Sequence, residues 1–320
     1  MQNLYIGIEI GGTKQQVALG TAEGKLLDKI TGKIQLKRGA PDILEWLEEK
    51  VPLLLAKEAE FSGIIKGIAA GFGGPLESKT GRIISSNQVP GWENFELRSW
   101  LTEKFHLPSI VINDTVCGGF AELYLGSGRD AQNLFYTNIG SGIGGAMFVG
   151  RQYYDGAGTG ASYLGNSYIP DWTSAAPGTP IKVENICSGM NIEHRIRMPG
   201  YVPASSKLME LCGGDPQALN CQMLAAAAEA GDNFAAAEID RIAYSYSIGL
   251  CNVLALVSPE KIVIGGGVAK MGPVLLDPIR KHTSEMAFVS CKNRYVIEQS
   301  QLLDDAVIAG AVICAGKQTT

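Results

Sequence analysis

The hydrophobic pattern opens on a strand. Residues 4–11 (LYIGIEIG) are apolar almost throughout, and QQVALG (15–20) and KLLDKITGKI (25–34) predict two more strands separated by turn residues at Thr21–Gly24. The chain therefore begins as a β-meander. In residues 41–57, Ile43, Leu44, Leu47, Val51, Leu54 and Leu55 recur at helical spacing opposite Glu45, Glu48 and Glu49, with Pro52 set to kink or break the helix. A strand at 64–71, a helix near 96–105, the short strand SIVIND (109–114) and a helix from about Thr115 complete a βββαβαβα half. The second half repeats the plan: NLFYTNIG, GGAMFVG and RQYYDGAG read as three strands, and a helix at about 235–257 feeds the strand KIVIGGG. Two such halves predict α/β lobes with mixed sheets facing one another across an active-site cleft. The N-terminal lobe is placed at 1–120 and the C-terminal lobe at 121–303. The last helix, 304–316, carries Val307, Ala311 and Cys314 at core spacing and is expected to return to the first lobe.

Composition narrows the class. The 320 residues are enough for two ordinary domains, and 46% hydrophobic with 18% charged residues is a globular balance. No apolar run is long enough to cross a bilayer without glycine or polar interruption. The net charge of −5, with no dense Lys/Arg cluster, makes nucleic acid a poor partner. A strand starting at residue 4 leaves no room for an export signal, so a cytoplasmic protein is expected. Seven scattered cysteines without a C-x-C or C-x-x-C pair read as reduced, buried thiols rather than disulfides or a metal site. The 40 glycines are clustered, as backbone approaching a ligand or a tight strand connection requires.

Four constellations carry candidate chemistry. Gly11, Gly12, Thr13 and Lys14 follow a strand and offer backbone N–H groups, a hydroxyl and a cation to a phosphate; a tight hairpin needing positive φ explains the glycines as well. Gly140, Ser141 and Gly142, within 138–145, occupy the corresponding strand-to-strand turn of the second half. Gly265, Gly266 and Gly267 lie between a strand and a helix, where backbone can pack on a nucleotide or simply form a short connection. Asn113-Asp114 stands at the carboxyl end of a strand, where open α/β sheets place ligands, and equally where a helix N-cap belongs. No G-x-x-x-x-G-K-[ST] occurs, and the first two glycine turns lie between strands, which excludes a P-loop and argues against a dinucleotide fold.

Taken together, these turns in order, Gly71-Phe-Gly-Gly-Pro75, the Ser86–Trp92 segment, Asn113-Asp114 and PEKIVIGGGVA resemble the ROK family of bacterial sugar kinases and related repressors over nearly the whole chain. The resemblance implies a two-lobed, actin-like or hexokinase-like ATPase fold with ribonuclease H-like lobes. It implies ATP- and Mg²⁺-dependent phosphorylation of a hexose or modified hexose, as in glucokinases, and a homodimer. Asp114 is then the catalytic base; Gly74, Asn87, Asn113, Asp114 and Glu184 face the sugar; and Gly11–Lys14, Gly140–Gly142 and Gly265–Gly267 surround ATP. Because the family's repressors carry an additional DNA-binding domain before the first strand, a DNA-binding regulator is not expected, while a weak or inactive sugar-binding regulator remains the alternative.

The chain also departs from the family's pattern. Tyr163 stands where the resemblance puts a Glu, and Asn166 where it puts a His. The family's zinc motif has no counterpart in PDWTSAAPGTP (170–180), which lacks Cys and His, so no structural zinc is expected. Glu9 replaces an Asp beside Mg²⁺, keeping the charge on a longer arm, directly or through water. Tyr163 and Asn166 change the hydrogen-bond inventory at the sugar's far end, which leaves the sugar unnamed.

Overall fold

A computed structural model of the chain describes residues 1–34, 38–86, 88–176 and 178–318. Its first sheet is the predicted meander extended by two parallel strands: β1 (Gln2–Ile10), β2 (Lys14–Thr21) and β3 (Leu26–Lys33), then β4 (Gly63–Phe72) and β7 (Ser109–Asn113), in the order β3-β2-β1-β4-β7. A short hairpin, β5 (Leu76–Glu77) and β6 (Arg82–Ile83), lies between β4 and β7 in sequence. β1 is central, and every residue from Leu4 to Ile10 is buried. Its two faces are divided by the period of two. Leu4, Ile6, Ile8 and Ile10 enter one core with Ile43, Leu47, Val51 and Leu54 of α1 (Ala40–Leu55) and Leu97 and Leu101 of α2 (Leu97–Phe105). Pro52 does not break α1: it sits in the last turn on the exposed side, and the helix closes past it, with Ala56 N–H donating to the Pro52 carbonyl.

On the other face, Tyr5 and Gly7 meet α10 (Ala306–Gln318), whose buried run from Ile308 to Gly316 has almost no large polar atom. A Cβ on Gly7 would lie 2.9 Å from the Ile308 carbonyl, and one on Gly310 would lie 1.7 Å from the Cys117 carbonyl of α3 (Asp114–Tyr124). Glycine at these positions lets helix, strand and helix approach backbone to backbone.

The second sheet comprises β8 (Leu134–Ile139), β9 (Ile143–Val149) and β10 (Gln152–Tyr153), then, past a separate hairpin of β11 (Tyr168–Pro170) and β12 (Pro180–Lys182), β13 (Lys261–Gly265) and β14 (Val296–Gln299), in the order β10-β9-β8-β13-β14. This is the order of the first sheet, with the central pairs again parallel. The expected third strand RQYYDGAG shrinks to two residues, because the Asp155 carboxylate accepts the Gly160 N–H (3.2 Å) and the Ser78 hydroxyl (2.8 Å) and turns the backbone out of the sheet. After β10, α4 (Val183–Cys187), α5 (Gly189–Ile196), α6 (Lys207–Leu211), α7 (Cys221–Glu229), α8 (Asn233–Val257) and α9 (Pro273–Met286) supply the core, α6 through Leu208 and α8 through Ile239, Ile242, Tyr246, Leu250 and Leu254.

Contacts group the chain into two units. The first holds residues 1–132 and 146–161 and the chain from Asp304 onward; the second holds 133–145 and 162–303. All seven cysteines are free, and six of them are buried. No helix among the described residues is long and apolar enough to cross a membrane.

Candidate active site

In the first unit the ends of β1, β4 and β7 bring four of the candidate segments together. The Gly11 N–H donates to the Lys14 carbonyl (3.1 Å) and closes the first glycine turn, while Gly73 N–H donates to the Ile10 carbonyl (3.0 Å). Gly12 is covered by Gln88, whose side-chain oxygen would lie 1.8 Å from a Cβ at that position. Asn113 is the N-cap of α3: its Oδ1 accepts the Thr115 N–H (3.0 Å), and its Nδ2 donates to the Gly74 carbonyl (3.3 Å). Capping therefore falls to Asn113, and Asp114 is the first residue of the helix.

Asp114 is held by one oxygen. Its Oδ1 accepts the Thr115 N–H at 2.7 Å and lies 3.3 Å from the Thr115 hydroxyl, whereas Oδ2 points along Gly73, where a Cβ would come within 3.1 Å. Burial above all, opposed by the Thr115 bonds and aided by the nearby Glu9 charge, brings its pKa up to about 6. Glu9, only 8% exposed, has its pKa raised by burial against the opposing pull of Lys14 and Gln16. Lys14 Nζ lies 3.3 Å from Glu9 Oε1 and donates to the Asp304 carbonyl (3.0 Å).

The second unit assembles the remaining candidates, with glycine again marking the close approaches. Gly140 N–H donates to the Gly142 carbonyl (2.9 Å), and Gly189 N–H, opening α5, donates to the Gly140 carbonyl (2.8 Å). A Cβ on Gly145 would lie 2.0 Å from the Ser162 carbonyl, and one on Gly165 would lie 2.3 Å from the Ile143 carbonyl. The Tyr163–Asn166 turn is thereby pressed onto the Gly140–Gly145 turn. Glu184 Oε2 accepts the Ile143 N–H (2.7 Å) and ties a third candidate to the same place. Gly266, at φ 87°, packs against Ile139 at the end of β8, whereas a Cβ on Gly267 would meet nothing within 4 Å. Asn166 is exposed, and its Oδ1 accepts from Lys182 Nζ (2.8 Å). Asn87 lies outside the described residues.

Sequence reasoning missed Gln16, Gln88, Trp172 and Lys182. The Trp172 ring lies 5.2 Å from each of the Arg195 and Arg241 guanidinium carbons, and its Nε1 donates to the Ser245 hydroxyl (2.8 Å). Arg195 forms a buried ion pair with Glu238 (2.7 Å), which also accepts the Tyr201 hydroxyl (2.8 Å). Among the described residues no group of three or more His, Cys, Asp or Glu is placed to hold a metal ion. A cavity of about 280 Å³ beside Trp172, lined also by Pro170, Arg241 and Tyr244, contains none of the candidate residues.

The donors present fit a magnesium nucleotide. The backbone N–H groups of Gly12 and Thr13 make no hydrogen bond among the described residues, Glu9 already holds one cation in Lys14, and Gly267 faces open space.

The match to the ROK family model runs over residues 5–318. The chain belongs to the ROK family. It is 29% identical over 310 residues to a glucokinase of Halalkalibacterium halodurans, covering 96% of this chain and 93% of the relative. It is 22% identical over 317 residues to a xylose repressor of Caldicellulosiruptor bescii, covering 96% of this chain and 76% of the repressor. A solved ROK glucokinase of Streptomyces griseus, in complex with glucose and AMPPNP, superposes with a TM-score of 0.83 at 22% identity, over 98% of this chain and 99% of that one. The fold is thus the hexokinase-like, actin-like fold of the solved ROK kinases, with one strand order repeated in its two sheets.

Proposed function

We propose that this ROK protein transfers the γ-phosphoryl group of ATP to a hydroxyl of a hexose or modified hexose, with its two units as the N- and C-terminal lobes of the kinase. Asp114 carries the reading. A carboxylate with one oxygen tied to Thr115, the other along the Gly73 strip and a pKa raised to about 6 is equipped to take a proton from an attacking hydroxyl near neutral pH. Asn113 and Gly74 in one unit, and Tyr163, Asn166 and Glu184 in the other, are assigned to the sugar, as is Asn87. Gly12 and Thr13 N–H, Lys14, Gly140–Gly142 and Gly265–Gly267 are assigned to the nucleotide. Bound Mg²⁺, held through Glu9, would neutralise developing charge on the phosphates, and positioning by the chain would supply most of the remaining acceleration.

The test is ADP release from ATP·Mg across hexoses, amino sugars and N-acetyl sugars. Turnover on at least one sugar is expected, with Asp114→Asn lowering it about 10²- to 10⁴-fold while sugar binding persists. Equal turnover by the variant would remove Asp114 from the base role. A second reading, a sugar-binding regulator, draws support from the xylose repressor relative and from Asn166 being engaged by Lys182. Sugar binding without ADP release by the unmodified protein would favour it.

A further inference from the structure

Gln16 stands in a buried strand beside a second glutamine, and its amide is almost fully used. It is 2% exposed, Nε2 donates to Glu9 Oε2 (2.7 Å), and Oε1 accepts the Thr31 hydroxyl (2.9 Å). A buried amide is costly unless its bonds are made, so these partners fix its place. Glu9 also fixes its direction. A carboxylate only accepts, so the NH₂ group faces Glu9 and the carboxamide oxygen is left to the Thr31 hydroxyl, and the strand register sets Glu9 opposite Gln16 and Gln16 opposite Thr31 across β1, β2 and β3.

We propose that Gln16 is a positioning residue for Glu9, holding Oε2 so that Oε1 is presented to cations. Glutamate has one more rotatable bond than aspartate, and a carboxylate on the longer arm needs a second tether to stay in one place. Gln16 provides it from the neighbouring strand, and the Thr31 hydroxyl anchors the far side of its amide. The other oxygen, Oε1, faces the Lys14 ammonium at 3.3 Å, which marks it as the cation side of the carboxylate. The inference rests on the kinase reading, in which Glu9 serves the magnesium ion of the nucleotide.

Calorimetric titration of AMPPNP across a series of magnesium concentrations tests it, with sugar binding and thermal midpoint as references. Gln16→Leu should weaken magnesium-dependent nucleotide binding about tenfold, as expected for a lost tether to a charged ligand group, and leave sugar affinity unchanged. The loss should be several-fold smaller in a Glu9→Asp background, because the shorter arm has less freedom to restrain. Should Gln16→Leu fail to fold, Thr31→Val decides: it removes only the hydroxyl that anchors the Gln16 amide, from an exposed strand position, and should weaken binding about two- to threefold. An unchanged magnesium dependence in these variants, or an equal loss with Asp at position 9, overturns the inference while the kinase reading stands. Absence of nucleotide binding by the unmodified protein at every magnesium concentration overturns both.

Discussion

The two sheets share one strand order and place opposite kinds of group at the same point. Next to the end of its central strand the first carries Glu9, a buried carboxylate bonded to Gln16 and Lys14; the second carries Asn138, a neutral amide whose Oδ1 accepts the Gly144 N–H (2.9 Å). In the first sheet β7 ends in Asn113 and is followed by Asp114, while β14 ends in Gln299 and is followed by Ser300. In the second unit polar side chains hold backbone: Asn138 and Thr137 both bind Gly144, and Glu184 binds Ile143. In the first unit two carboxylates are kept at raised pKa by burial. At this point of the sheet the repeated architecture thus separates two tasks, with carboxylates held at raised pKa in one unit and side chains that hold backbone in the other. Groups with burial-perturbed pKa values concentrate where chemistry is done.

The largest effect should come from titrating Asp114. A base with a pKa raised to about 6 must be ionised, so kcat/KM should fall about tenfold per pH unit below that value. The linkage to stability has the opposite sense. A carboxyl whose folded pKa lies above its unfolded value contributes stability that is complete below about pH 4 and is lost as pH rises through about 6. Asp114→Asn should therefore raise the thermal midpoint at pH 8 and do so less at pH 4. The gain is bounded at about 2–3 kcal/mol by a shift of roughly two pKa units. Thermal melts at the two pH values check this, and a lower midpoint for the variant would show that Asp114 serves the helix rather than the reaction.

A second way to break the comparison is to add volume where the first unit is tightest. In an open helix Gly→Ala is favourable by about 1 kcal/mol. At Gly310 the new Cβ would lie 1.7 Å from the Cys117 carbonyl, so α10 and α3 must separate. We expect Gly310→Ala to cost about 3 kcal/mol, the upper range for overpacking, read as a lower urea midpoint at unchanged slope. Because Cys117 lies one helical turn from Asp114, turnover should fall with it. An unchanged midpoint would mean that the packing under Asp114 is loose.

Much of this was legible in the chain, for identifiable reasons. The meanders, α1, α2, α8 and the repeated plan follow from periodicity, and the glycine turns stood out because glycine has few other reasons to cluster. The carboxyl end of β7 was legible as a candidate site, but not the division of labour within it, since Asn and Asp are both good caps and only the backbone shows that Asn113 takes that role. Trp172 escaped because cation–π contacts with Arg195 and Arg241 join residues far apart in sequence, and PDWTSAAPGTP has no periodicity of its own. Gln16 left a signal that went unread: two adjacent glutamines in an otherwise apolar strand, both buried.

The smallest effect is expected at Gly267, and it separates holding from contact in the second unit. Its neighbour Gly266 needs glycine twice over, at φ 87° and with a Cβ that would lie 2.5 Å from the Ile139 carbonyl. Gly267 has φ −63°, which any residue adopts, and no atom within 4 Å of a new Cβ. Stability therefore gives no reason for glycine there, and Gly267→Ala should raise it by about 0.5 kcal/mol through the unfolded chain. If the open space belongs to the nucleotide, the same methyl group should weaken AMPPNP binding several-fold, about 1 kcal/mol, without touching sugar affinity. A more stable variant that binds nucleotide normally would move the nucleotide away from Gly267 and leave Gly140–Gly142 as the second unit's phosphate turn.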